Sequence, residues 1–162
     1  MRRTALCLLV IIGFSVSLVQ ADYQGGIKAF NSGDFDQAFK EFLAEAQKGN
    51  ADAQNDVGAI YNLGHGVSQD HTKAVQWFRK AAEQGHAQAQ NNLGRSYLKG
   101  QGVPQDYSKA IQWYEKAVEQ NNAQAQYNLG LMYYNGEGVP QDFTKAMALF
   151  RKAADQGITK PE

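Results

Sequence analysis

The chain has 162 residues, 43% of them hydrophobic, and its 16 Lys and Arg residues are balanced by 16 Asp and Glu residues. This length suits one domain with a continuous core. The balanced charge excludes the strongly basic surface that an electrostatic nucleic-acid binder needs. A single cysteine, Cys7, cannot form a disulfide within the chain, so stability must come from packing.

The first 21 residues predict a secretory signal peptide. A basic start, Met1–Arg3, precedes an apolar run, Ala5–Val19, and Val19-Gln20-Ala21 supplies the small or β-branched residues of a cleavage site. Cleavage after Ala21 would leave a periplasmic or secreted chain with 14 basic and 16 acidic residues and no membrane span. The alternative is an uncleaved membrane anchor, although the run is shorter than the roughly 20 residues that a spanning helix needs. Cys7 precedes the centre of the run and does not fit a lipidated cysteine.

Residues 22–50 predict a short, degenerate helix pair. The pattern predicts a helix over Tyr23–Asn31, a turn over Ser32–Asp34 and a second helix over Phe35–Lys48, which Gly49 ends. The second helix carries apolar residues at intervals of three and four, which is the stripe of an amphipathic helix. These residues are Phe35, Ala38, Phe39, Phe42 and Ala46.

Three full repeats follow over residues 51–86, 87–122 and 123–158, with a tail at 159–162. Their period is 36 residues, the distance between the loop copies Gly64–Asp70, Gly100–Asp106 and Gly136–Asp142. Such a period predicts an all-α fold, an α/α solenoid of antiparallel helix pairs. We expect eight helices in a right-handed superhelix. The Asp that ends each loop copy is expected at the start of the next helix, where it can cap free backbone N–H groups.

One glycine column lies inside the predicted first helices, at Gly58, Gly94 and Gly130. A glycine within a helix costs about 1 kcal/mol relative to alanine. Its occurrence in all three repeats predicts that the paired helices cross too closely there for a Cβ atom.

The repeat motif reads Ala-x-Ala-Gln-x-Asn-Leu-Gly-x-x-Tyr, then Gly-x-Gly-Val-Pro-Gln-Asp-Tyr-x-Lys-Ala. It resembles the Sel-1-like repeat, a relative of the tetratricopeptide repeat with a longer loop between its helices. Residues 87–120 and 123–156 match closely, whereas residues 51–84 depart at Ser68 and His71. Residues 23–49 are more similar to a plain tetratricopeptide unit.

This resemblance implies a bacterial scaffold or adaptor that binds a protein or peptide and has no enzymatic activity. A cysteine-rich secreted branch of the family, for which a penicillin-binding or β-lactamase role has been proposed, implies the alternative of an enzyme directed at the cell wall or at β-lactams. The present sequence lacks the paired cysteines of that branch.

The sequence contains weak candidates for chemistry. Ser96 and Lys99 match a Ser-x-x-Lys element of penicillin-recognising enzymes, but the companion Ser-Asp-Asn and Lys-Thr-Gly motifs do not occur. The three histidines, His65, His71 and His86, lack the spacing of a metal site. We therefore expect no catalytic residue, no cofactor and no metal.

In tetratricopeptide arrays the first helix of each unit lines the concave surface, and the resemblance implies the same arrangement here. Counted from the glycine column, the positions on this surface vary between repeats, as expected of a surface freed from packing. The Arg95 guanidinium can bind a carboxylate with two parallel hydrogen bonds. Tyr127 and Tyr134 are of a residue type enriched at binding hot spots. The alternative is a groove that is merely solvated. The predicted partner-binding residues are Asp52, Asn55, Asn62, Gln88, Asn91, Arg95, Leu98, Gln124, Tyr127, Leu131 and Tyr134, with Ala59 on the same surface.

The last predicted helix carries Phe143, Met147 and Phe150, and the tail after it is too short to form a covering helix. Solenoids usually need polar capping elements at their ends. We therefore expect this end to be partly open and to promote homo-oligomer formation or partner docking.

Overall fold

The computed structural model describes residues 23–158, which form eight α-helices and no strand. Helix α1 covers residues 23–31. The others are α2 Phe35–Gln47, α3 Ala51–Leu63, α4 His71–Glu83, α5 Ala87–Lys99, α6 Tyr107–Glu119, α7 Ala123–Asn135 and α8 Phe143–Asp155. The predicted signal peptide and the tail at 159–162 lie outside the described residues. Within residues 23–158, none of the helices has the length and apolar character needed to cross a membrane.

Side-chain caps fix where the helices begin. Asp70, Asp106 and Asp142 each accept a hydrogen bond from the backbone N–H three residues later, which confirms their expected place at the start of α4, α6 and α8. The first helices of the repeats begin in the same way, at Asn50, His86 and Asn122. Each of α3 to α8 therefore begins directly after a capping side chain, and each is 13 residues long.

The glycine column lies where the two helices of each repeat cross. A Cβ atom added at Gly94 would lie 2.8 Å from ring atoms of Tyr114 and 3.2 Å from the backbone oxygen of Ala110. The corresponding distances are 2.6 Å from Gly58 to Phe78 and 2.7 Å from Gly130 to Phe150. Real Cβ atoms do not approach other atoms this closely, so the expected close crossing is confirmed.

Successive repeats also pack through the loop between their helices. A Cβ at Gly102 would overlap the backbone of His71 in the preceding repeat, and one at Gly138 would overlap the side chain of Tyr107. Both glycines have positive φ, 74° and 72°, a conformation that L-residues rarely adopt. The core is continuous from α4 to α7, and a second buried cluster joins α2 to α3.

The last repeat differs from the others in what covers its second helix. Val75 and Ile111 occupy equivalent positions on α4 and α6 and are 4% and 8% exposed. Met147, the equivalent residue on α8, is 49% exposed, and Phe143 is 53% exposed. Within the described residues, this apolar surface of α8 is therefore open.

Candidate partner-binding surface

The predicted partner-binding residues lie on α3, α5 and α7, and we refer to this set as the first-helix face. Asp52 and Tyr134 are exposed, and Arg95 and Tyr127 are half-buried. The other half-buried members are Asn55, Asn62, Gln88, Leu98 and Leu131. Most of the face can therefore contact another molecule.

Two members of the face do not have the predicted accessibility. Asn91 is 1% exposed and Gln124 is 7% exposed. Both contact Asn128: its Nδ2 donates to Asn91 Oδ1 at 2.9 Å, and its Oδ1 accepts from Gln124 Nε2 at 3.4 Å. The contact of Asn91 joins two repeats, whereas Gln124 and Asn128 lie one turn apart on α7. Because both side chains are buried, the expectation that they form part of a free surface was wrong.

Polar side chains join each first helix to the following repeat, and we call these contacts the polar ladder. Asn92 Nδ2 donates to Asn55 Oδ1 at 3.0 Å, and the Asn128–Asn91 bond repeats this contact one period later. Asn122 Nδ2 donates to Gln88 Oε1 at 3.1 Å, while His86 Nε2 lies 3.0 Å from Asp52 Oδ1. The ladder thus adds polar contacts between successive first helices to the apolar core that they share.

The C-terminal end of the first-helix face is aromatic. Tyr127 packs against Phe150 with ring centroids 5.2 Å apart. Tyr134 contacts Phe143 at 5.2 Å and Phe150 at 6.5 Å while remaining 49% exposed. Aromatic pairs at these distances stabilise each other and hold their rings in place. The two tyrosines therefore present fixed rings.

The centre of the face contains Arg95, whose guanidinium has no acidic partner among residues 23–158. The ring of Tyr114 lies beneath the adjacent Gly94, and its buried hydroxyl has no hydrogen-bond partner among the described residues. Burial raises the pKa of Tyr114, while the nearby charge of Arg95 acts in the opposite direction. This hydroxyl is therefore a polar group that the fold leaves unsatisfied.

We expect Tyr114→Phe to raise the free energy of unfolding by about 1 kcal/mol, because a buried polar group without a partner destabilises the folded state. Phe78 and Phe150 already occupy the equivalent positions. The matched control is Tyr97→Phe. The Tyr97 hydroxyl accepts from Arg79 Nη2 at 3.0 Å, so its loss should cost about 0.5–1.5 kcal/mol. Urea unfolding of both variants measures the difference, and a larger loss for Tyr114→Phe than for Tyr97→Phe would contradict it.

The residues considered for chemistry have structural contacts. The Ser96 hydroxyl is buried and donates to the backbone oxygen of Asn92 at 3.0 Å, whereas Lys99 is exposed. His65 stacks on Phe35 with centroids 5.0 Å apart. Nδ1 of His71 lies 3.0 Å from Asn62 Oδ1, and His86 caps α5. Across residues 23–158, no group of three or more potential ligands could hold a metal ion.

A cavity of about 150 Å³ lies between α1, α2 and α3, and sequence reasoning did not predict it. We call it the N-terminal cavity. A signal was present in the sequence: Asp56 occupies the column in which the later repeats have Asn92 and Asn128. Those asparagines donate to the preceding repeat, whereas Asp56 accepts a hydrogen bond from the Tyr23 hydroxyl at 2.7 Å. The cavity is lined by Ile27, Phe30, Asn31, Phe42, Asp56, Ala59, Ile60, Leu63 and His65.

Comparison with known proteins agrees with this architecture. The family model of the Sel1 repeat matches residues 51–86, 87–122 and 123–158. A Sel1 repeat protein from Oxalobacter formigenes has a similar structure, with a TM-score of 0.75 and 39% identity over 82% of this chain and 54% of that one. The antigen c5321 of uropathogenic Escherichia coli, which has an SLR fold, gives a TM-score of 0.62 and 31% identity over 89% of this chain and 39% of that one.

Helicobacter pylori cysteine rich protein B is also similar, with a TM-score of 0.61 and 28% identity over 76% of this chain and 92% of that one. No curated protein sequence matches the chain. The chain spans only 54% of the Oxalobacter protein and 39% of c5321, so it corresponds to part of those proteins. Because the repeat model covers most of its length and the helix pairs recur with the same period, the chain belongs to the Sel1 repeat family.

Proposed function

We propose that this protein is a non-enzymatic scaffold that binds a protein or peptide through a concave first-helix face. The proposal depends on two features of consecutive first helices: Arg95, which has no acidic partner among residues 23–158, and the fixed rings of Tyr127 and Tyr134. Sel1 repeats generally form helical scaffolds that mediate protein interactions, which supports the same conclusion.

The polar ladder favours binding because it holds the face in one geometry before a partner arrives. A surface that is already ordered loses little conformational entropy on association. Arg95 can bind a carboxylate with two parallel hydrogen bonds, and the two tyrosines supply large contact areas with few rotatable bonds. The best ligand is therefore a peptide segment with an acidic group next to aromatic or aliphatic side chains.

Replacing Arg95, Tyr127 and Tyr134 together by Ala should abolish capture of a partner from envelope extracts while the helical circular dichroism persists. The three residues supply the charged and aromatic contacts of the face, and such residues dominate interface energies. A matched control replaces Gln112, Glu115 and Glu119 by Ala, since all three are exposed on the second helix α6. Capture that survives the first triple variant would show that the partner binds elsewhere.

We further propose that the protein is exported and acts in the periplasm or outside the cell. The support is the sequence of residues 1–21, with its basic start, apolar run and Val19-Gln20-Ala21 motif. Intact mass and N-terminal sequencing of the exported protein should show a chain that begins at Asp22. A chain in the membrane fraction that still begins at Met1 would contradict this prediction.

We also propose that the open surface of α8 takes part in self-association or partner docking. Its apolar residues Phe143 and Met147 are about half exposed. On α6 the residue equivalent to Met147 is Ile111, which the next repeat covers. Exposed contiguous apolar surface commonly marks an interaction site. Light scattering at increasing protein concentration measures such association directly.

A further inference from the structure

The N-terminal cavity has the size of a single side chain. Its volume of about 150 Å³ is well below the roughly 300–1,000 Å³ of pockets that hold drug-sized ligands. Leu63 at its lining is 57% exposed, so the cavity is accessible from outside. Ala59, a residue expected on the concave surface, also lines it. The cavity thus adjoins the first-helix face.

One wall of the cavity carries a carboxylate, that of Asp56, whose hydrogen-bond donors in the described chain are neutral. Asp56 is mostly buried and accepts hydrogen bonds from two neutral groups, the Tyr23 hydroxyl at 2.7 Å and Asn55 Nδ2 at 3.4 Å. No Lys or Arg in the described part of the chain forms an ion pair with it. Burial raises the pKa of Asp56. The hydrogen bonds from Tyr23 and Asn55 and the nearby His86 partly oppose this shift, whereas Asp52 one turn earlier adds to it. A cation entering the cavity would compensate this charge.

The remaining lining suits an apolar stem and a positive head. Phe30 and Phe42 supply aromatic rings, which attract cations through their negatively charged faces. Ile27 and Ile60 supply aliphatic surface. His65 adds a buried Nδ1 atom with no hydrogen-bond partner among the described residues. An ammonium group has three donors, at least one of which the Asp56 carboxylate can accept.

The same chain already holds lysines between a carboxylate and an aromatic ring. Lys73 Nζ lies 3.3 Å from Asp70 Oδ2 and 5.3 Å from the centroid of Tyr61. Lys109 repeats this with distances of 3.1 Å to Asp106 and 5.4 Å to Tyr97. Lys145 repeats it again between Asp142 and Tyr133. The N-terminal cavity offers the same two kinds of group, but no lysine of residues 23–158 occupies it.

We propose that the N-terminal cavity binds an alkylammonium group, with the stem against its apolar wall and the ammonium at Asp56. That this alkylammonium group belongs to a lysine of a protein partner rests on the proposed function. The affinity of the cavity for an alkylammonium does not depend on that function.

The test compares two probes that share the same four-carbon side chain, Nα-acetyl-lysine methylamide and Nα-acetyl-norleucine methylamide, by NMR titration of the purified protein. Norleucine lacks only the terminal ammonium group. The lysine probe should perturb the resonances of Phe30, Ile60 and Leu63 and bind about tenfold more tightly than the norleucine probe. Equal affinity for the two probes, or no perturbation of these resonances by the lysine probe, would overturn the proposal.

Asp56→Asn tests the role of the carboxylate with little change of shape, because an Asn oxygen can still accept from Tyr23. This variant should lose the preference for lysine and keep its affinity for norleucine. Asp36→Asn is the matched control, since it removes the same charge from an exposed position on α2 that does not line the cavity, and it should keep the preference. Retention of the preference by Asp56→Asn would refute the assignment. If the probes do not bind but capture of a partner still depends on Arg95, the alkylammonium site is refuted and the proposed function stands.

Discussion

We expect Gly94→Leu to lower the free energy of unfolding by about 1–3 kcal/mol or more, which is the range of overpacked cores. The nearest atoms to the new Cβ would be the Tyr114 ring at 2.8 Å and the Ala110 backbone oxygen at 3.2 Å. Tyr114 is fully buried and cannot move aside without displacing its neighbours. The higher helix propensity of Leu, worth about 1 kcal/mol, does not offset this clash. Urea unfolding followed by circular dichroism measures the change.

Two comparisons separate overpacking from a general effect of the substitution. Gly94→Ala should cost less than Gly94→Leu, because it adds one carbon atom instead of four. Lys99→Leu places the same side chain at the exposed end of the same helix and should change stability by less than about 0.5 kcal/mol. A Gly94→Leu protein with the urea midpoint of wild type would contradict the close-crossing explanation.

The sequence was sufficient to predict features that recur with the repeat. The helix pairs, the Asp caps and the glycine crossing each depend on residues within one repeat, and each appears three times at the same spacing. Asp106 is an example, because its side chain accepts a hydrogen bond from the backbone N–H of Lys109, only three residues away. Such local contacts follow from short-range geometry, so a repeated pattern predicts them well.

Contacts between repeats were harder to predict. Asn91 was expected on a free surface because its column changes to Tyr127 in the last repeat. That change instead coincides with the end of the polar ladder, since no following first helix lies within the described residues to bond with Tyr127. The identical asparagines at 55 and 91 were the signal of a packing role, but one sequence does not reveal which neighbour they contact.

The N-terminal cavity was not predicted from the sequence, for a different reason. It depends on α1, which belongs to the degenerate pair and does not follow the 36-residue period. The position of Phe30 and Tyr23 relative to α3 is therefore set by tertiary packing, which the repeat pattern does not specify. The unusual carboxylate at Asp56 was visible in the sequence, but its partner Tyr23 lies 33 residues earlier in a different kind of unit.

The second large effect on stability comes from the stacking of repeats. It is tested by introducing Asp at two equivalent positions, Ile111 on α6 and Met147 on α8. Ile111→Asp should cost about 3–5 kcal/mol, because it buries an unpaired charge between the second and third repeats. Ile111 is 8% exposed, and a Cβ at Gly138 of the next repeat would lie 3.4 Å from its Cδ1 atom. Met147→Asp should change stability by less than about 1 kcal/mol, since Met147 is 49% exposed and no repeat covers it in the described chain.

The same pair of variants tests what the open end does. Met147→Asp should reduce concentration-dependent light scattering, because a charge in the middle of the apolar surface of α8 would have to be desolvated when another molecule docks there. Urea unfolding of both variants measures their free energies of unfolding relative to wild type. Equal losses of stability for the two variants would show that α8 is covered as α6 is. Unchanged association of Met147→Asp would show instead that the surface of α8 is exposed but plays no part in docking.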